Sequence, residues 1–156
     1  MAQAPTIAEE QALLAEDFEL LEDPREKIEY IIDLGKKLEP MAAELKTEDH
    51  KVHGCQSQVW MVAAHDDASD HIRFQADSDA ILVRGLIALL MRLYDDRRAD
   101  DILANPPKII EDVGLGRHLT PNRANGLYSM VKRIRALAAS HAGAAGEPAP
   151  SQRAAG

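Results

Sequence analysis

The residue best suited to chemistry is Cys55, the single cysteine among 156 residues. One thiol closes no internal disulfide, builds no cysteine-rich zinc site and holds no iron–sulfur cluster in the usual thiolate cage. It can act as a nucleophile, carry a group, or sit as a small hydrophobe in a core. Its setting is Lys51-Val52-His53-Gly54-Cys55-Gln56-Ser57-Gln58-Val59-Trp60, a polar, glycine-hinged junction just ahead of an apolar run. Gly54 permits backbone angles closed to other residues, so the thiol can be aimed or swung. Lys51 and His53 are the ionisable neighbours on this segment, and both can favour thiolate over thiol. Gln56, Ser57 and Gln58 offer hydrogen bonds to a sulfur anion or to a partner loop. Inert core cysteines more often sit inside Val/Leu/Ile runs, so these surroundings favour a working thiol.

Other chemistries find less support. His50, His65, His71 and His118 lack metal-ligand spacing, and no metal site is expected. A cysteine hydrolase needs an oriented Cys–His pair and an oxyanion hole, and no such motif is present. Three classes stay open on the residues alone: a group-carrying cysteine, a cysteine enzyme acting on a small molecule, and a binding module in which Cys55 is incidental.

The elements that must position Cys55 can be read from caps and periodicity. Thr6-x-x-Glu9 is a capping box opening a helix with Leu14, Phe18 and Leu21 on one stripe. Asp23-Pro24 starts a second helix, with Ile28, Ile31, Ile32, Gly35 and Leu38 on its apolar face. Pro40 ends it, and residues 39–54 form a polar connector, with a third strand expected near Val52. Val59–Ala64 reads as a strand, residues 65–70 as a turn, and Ile72, Phe74 and Ala76 alternate on a returning strand. Ser78 or Asp79 is placed to cap the next helix, Ile81–Tyr94, which is apolar nearly all round and expected at the centre. Short helices follow at 99–104 and 107–113, the second ended by Gly114. Thr120-Pro121 opens the last helix, which carries Leu127, Val131, Ile134 and Ala138. Trp60 and Phe74 are expected in the core. The order implies an α+β domain over residues 1–139, a small antiparallel sheet with helices packed on one face. Residues 140–156, rich in Ala, Gly, Pro and Ser, read as a disordered tail.

Composition bounds the partners. Hydrophobic residues make up 46% of the chain, enough for a core without metals or disulfides. The net charge is -8 and is unevenly spread: residues 1–50 carry 14 acidic and 5 basic side chains, and residues 101–156 carry 4 and 7. An acidic N-terminal third argues against nucleic acid as the main partner, since phosphate contacts need a basic face. Lys132, Arg133 and Arg135 read as solvated charges on an amphipathic helix. Arg84 and Arg92 interrupt the longest apolar run, so no membrane span is expected. No secretory signal is evident, and a cytoplasmic location is expected.

Gly54-Cys55-Gln56-Ser57-Gln58-Val59-Trp60 resembles the signature of the SufE/CsdE family of sulfur acceptors. Ile28–Lys36 resembles the family's second helix, Ser78–Leu86 the start of its central helix, and Gly114–Leu127 its last motif. Together these span about residues 10–138 in the family's order. Thr120 and Asn122 stand where family members commonly have serines. The resemblance implies a SufE/IscU-like fold. It also implies that Cys55 takes a sulfane sulfur, as a persulfide, from a PLP-dependent cysteine desulfurase of the SufS or CsdA kind and passes it to an iron–sulfur scaffold. On this reading the chain holds no cofactor, because the PLP sits on the partner. Asp79, Arg123 and Asn125 would flank the Cys55 loop as a docking surface. Whether the free state is a homodimer, and which paralogous desulfurase is served, the sequence leaves open.

Overall fold

Thr6 opens α1 (Ile7–Glu19) with a complete capping box, its hydroxyl accepting from the Glu9 N–H at 3.1 Å while the Glu9 carboxylate accepts from the Thr6 N–H at 2.8 Å. The computed structural model describes residues 4–142. Ile7, Leu14 and Phe18 are the buried stripe of α1. Asp23 caps α2 (Pro24–Gly35) by accepting from Arg25 N–H at 2.9 Å, with Pro24 in the first turn where its missing N–H costs nothing.

The sheet is a two-stranded antiparallel hairpin of β1 (Val59–Asp66) and β2 (His71–Ser78), paired from Val59 with Ser78 to Asp66 with His71. This register puts Val59, Met61, Ile72, Phe74 and Ala76 on one buried face. Helix α3 (Ile81–Tyr94) lies against that face and also touches α1, α2 and α6 (Pro121–His141). It buries eight residues, from Val83 to Tyr94, and is the centre of the domain. Between α3 and α6 run the short helices α4 (Ala99–Ala104) and α5 (Ile109–Asp112), the latter followed by Gly114 at φ 64°. In α6, Leu127, Val131, Ile134 and Ala138 are all buried, as their spacing predicts.

α2 and α3 meet backbone to backbone. A Cβ on Gly35 would stand 2.6 Å from the Gly85 nitrogen, and one on Gly85 would run into the Ile31 carbonyl. The outer face of the hairpin is sealed at one end by the connector. Trp60 is buried there with the Lys46 ammonium 5.3 Å from its ring centroid. Beside it Asp77 is buried, accepting from the Met41 N–H at 3.0 Å and facing Lys46 at 3.3 Å and Arg84. Burial alone would push this carboxyl up, but the Met41 and Ser78 N–H donors with Lys46 and Arg84 outweigh it and hold it below the ordinary range.

Three expectations need correction. The third strand near Val52 is a single bridge, Lys51 to Trp60, with one Val52 N–H to Val59 carbonyl bond at 2.8 Å. Gly54, at φ 91°, then turns the chain away before a ladder can extend. Neither Ser78 nor Asp79 is the N-cap of α3; that position is Ala80, without a side-chain cap. Asp79 is engaged elsewhere, as described below. The last helix runs past Ser140 to His141, and the remainder of the expected tail lies outside the described residues. No helix among the described residues is long and apolar enough to cross a membrane.

At the far end of the hairpin, His65 is bonded to Asp67 at 3.0 Å and to Asp70 at 2.8 Å, and its ring stacks on that of His141 at 6.0 Å. The Asp70 bond pushes His65 up from its ordinary value, helped by Asp67 and opposed by burial. Burial, and then the charge of His65, push His141 down. His65 therefore adds stability that is full below about pH 6.5 and fades as pH rises through its folded value; His141 removes stability as pH falls below about 6.5 through its own, lower folded value. NMR titration is expected to find His65 above and His141 below about 6.5, and His65→Gln should raise the His141 midpoint. A His141 midpoint at or above the ordinary value in the native protein would contradict this.

Candidate functional site

The Cys55 loop is anchored to the hairpin at both ends. Upstream, the Lys51 bridge and the Val52–Val59 bond attach it to β1. Downstream, the Asp79 carboxylate accepts from Gln58 N–H at 3.1 Å, and Asp79 N–H donates to the Gln58 carbonyl at 3.3 Å. Residues 53–57 between these ties belong to no helix or strand. Gly54 is needed at the bend twice over: its φ of 91° is left-handed, and a Cβ there would stand 2.5 Å from Ser129 Oγ on α6.

The bend lays Cys55 against α6, half-buried, with its S–H donated to the Gly126 carbonyl at 3.6 Å. A small cleft opens beside the sulfur. Val83 and Leu86 of α3 and Leu127 and Met130 of α6 form its apolar floor, and Gln56, Ser57, Asn122 and Arg123 its polar rim. Burial pushes the Cys55 thiol up from its ordinary value and is the single cause acting on it. In this conformation Lys51 is paired with Glu48 at 3.4 Å and His53 is exposed on the turn, so neither offsets that burial. The site therefore holds a protonated, sheltered thiol on a short loop, and its nucleophilic form needs the loop to move or a partner to change the surroundings.

Of the residues singled out in sequence, Gln56, Ser57 and Arg123 come together with Cys55 around the cleft. Gly54 forms the bend, and Gln58 is the downstream tie. Asp79 is exposed but serves the loop by holding Gln58. Asn125 is exposed on α6 and lies outside the cleft lining. The Arg123 Nη1 atom is buried without a hydrogen-bond partner among the described residues. Nothing in the sequence marks Asn122 for the site, yet its amide donates to the Gln56 side chain at 3.2 Å across to the loop. Gly126 stands out in sequence only as part of the last motif. The available signal was a glycine inside a long helix, a choice that costs about 1 kcal/mol against alanine and so calls for a packing reason.

The SufE family model, described as "Fe-S metabolism associated domain", matches residues 12–138. The chain belongs to the SufE family. Among similar SufE-like proteins, one from Rhizobium etli is 42% identical over 125 residues, covering 78% of this chain and 84% of the relative. Another, from Rhizobium meliloti, is 40% identical and covers 80% and 91%. A third, from Synechocystis, is 41% identical over 138 residues, covering 88% and 85%. All three are named as uncharacterized SufE-like proteins. The solution structure of a hypothetical protein from Thermus thermophilus superposes with a TM-score of 0.70 over 85% of this chain and 95% of that one. At 21% identity that likeness speaks for the SufE-like α+β fold alone.

Proposed function

We propose that this SufE-family protein is a sulfur acceptor and activator for a PLP-dependent cysteine desulfurase, with Cys55 as the residue that carries the sulfur. The observation that carries the reading is the placement of the chain's one thiol, sheltered against Gly126 on a short loop anchored to the hairpin at its ends. The Cys55 thiolate attacks the outer sulfur of the desulfurase's cysteine persulfide. The donor S–S bond breaks, a new S–S bond forms to Cys55, and the donor cysteine leaves as a thiolate, with no net oxidation. A second exchange of the same kind passes the sulfur to an iron–sulfur assembly scaffold. The protein needs no cofactor of its own for this; PLP belongs to the desulfurase. Its setting is cytoplasmic, where glutathione and thioredoxin keep an unshielded thiol reduced.

The test is mass spectrometry after incubation with a desulfurase and cysteine. One added sulfur atom is expected on the peptide containing Cys55 and nowhere else. Protein that remains unmodified while the desulfurase becomes persulfidated would overturn the reading.

Docking in this proposal uses the rim beside Cys55, with Asp79, Arg123 and Asn125. Arg123→Ala is expected to weaken desulfurase binding while lowering stability little, because the guanidinium it removes is half-buried and its buried Nη1 has no hydrogen-bond partner among the described residues. Binding titration together with thermal melting checks this. A large fall in melting temperature with unchanged affinity would assign Arg123 to the helix start instead.

A further inference from the structure

Gly126 is buried on α6, and its bare backbone faces Cys55. The other α6 residues that line the cleft, Asn122, Arg123, Leu127 and Met130, all carry bulky side chains. A Cβ on Gly126 would meet the Cys55 sulfur at 3.6 Å and its Cα and Cβ at 3.8 Å, which is ordinary contact. Any atom beyond that Cβ would compete for the space the Cys55 side chain fills. The same absence of a side chain lets the S–H reach a helix carbonyl at 3.6 Å. A carbonyl oxygen has a second lone pair free for such a donor while it serves the helix ladder.

We propose that Gly126 is a positioning residue for sulfur acceptance: it forms the seat in which Cys55 rests as a hydrogen-bonded thiol and from which it must rise to meet a donor sulfur. This rests on the reading of Cys55 as the sulfur acceptor. The physical consequence concerns protonation. A bond donated by S–H favours the neutral form, and the apolar floor disfavours the anion, so an occupied seat keeps the nucleophile switched off. A side chain that fills the seat turns it on without any partner.

The test is the rate of Cys55 alkylation by iodoacetamide as a function of pH, in the free full-length protein. Wild type, Gly126→Ala, Gly126→Ser and Gly126→Val are compared, and the melting temperature of each is recorded. Alanine is expected to label nearly as slowly as wild type, because its Cβ reaches only contact distance. Valine is expected to label several-fold faster, with the pH midpoint of the reaction shifted down. Serine should fall between, and it decides the matter against alanine if valine does not fold. Equal rates and equal pH midpoints across the folded variants would overturn the seat, since a purely structural glycine moves melting temperature and not thiol ionisation. Sulfur uptake from a desulfurase is measured on the same samples. Slow labelling released by serine or valine, with no sulfur uptake by any variant, would overturn the sulfur-acceptor reading and leave the seat in place.

Discussion

With Cys55 replaced by serine, sulfur acceptance is expected to vanish entirely while the fold survives. The reason is electronic. A serine hydroxyl is not appreciably ionised near neutral pH and forms no stable bond to a sulfane sulfur, whereas a thiolate exchanges with disulfide-like bonds readily. The substitution is nearly isosteric at a half-buried position, where the small hydroxyl can be met by water. The melting temperature should stay within a few degrees of wild type. Stimulation of desulfurase turnover should fall to the level of the desulfurase alone, since no acceptor clears its persulfide. The measurement is cysteine-dependent sulfide release over many turnovers, with complex formation checked separately by titration. A serine variant that still stimulates fully would mean that activation is conformational and that Cys55 carries nothing.

The second large effect is on the fold itself, at Gly85. The Cβ that alanine would add there collides with the Ile31 carbonyl and presses on the Ile31 side chain across the α2–α3 crossing. Backbone cannot rotate out of the way as a surface side chain can, so the two helices must separate. That loosens α3, which touches α1, α2, α6 and β2 at once. Overpacking of this kind costs about 1–3 kcal/mol and sometimes more. Alanine regains about 1 kcal/mol of helix propensity, and with the clash falling on backbone the net loss is set at the upper end, about 2 kcal/mol. For a chain of this size that corresponds to a fall in melting temperature of roughly 5–8 °C. Gly85→Val should not fold stably. Gly116→Ala is the control: nothing lies within 4 Å of a Cβ there, and no change beyond about half a kcal/mol is expected. Melting of Gly85→Ala at or above the wild-type temperature would show that the crossing can open at little cost.

Much of this molecule is written in local terms. The Thr6–Glu9 box, the Asp23-Pro24 start, the Thr120-Pro121 start and the Gly114 stop all act where the sequence places them. Each is a contact between residues a few positions apart, so spacing alone specifies it. The apolar run from Ile81 to Tyr94 announced the central helix because a segment apolar on most sides has nowhere to go but inside. Cys55 was legible for the same kind of reason: it is the one thiol, and Gly54 and three polar residues stand beside it.

What tertiary structure decided are the partners far along the chain. Asp79 suits a helix cap on local grounds, yet its carboxylate is taken by Gln58, 21 residues away, because the hairpin brings the two strand ends together. Val52 has the β-branched character of a strand residue but makes one bridge, since the turn at Gly54 leaves no length for a ladder. Lys51 and His53 stand next to the thiol in sequence, yet in space burial against α6 is the one cause acting on it, and it pushes the thiol up. Gly35 and Gly85 carry no local sign that they face each other. Gly126 lies 71 residues from Cys55, and no periodicity or cap links them. The sequence by itself determined where α1, α2 and α6 begin and which atom is the one thiol sulfur, because those depend on near neighbours and on chemical type. The seat of that atom, its protonation and its exposure depend on which surfaces meet, and only the packed chain decided them.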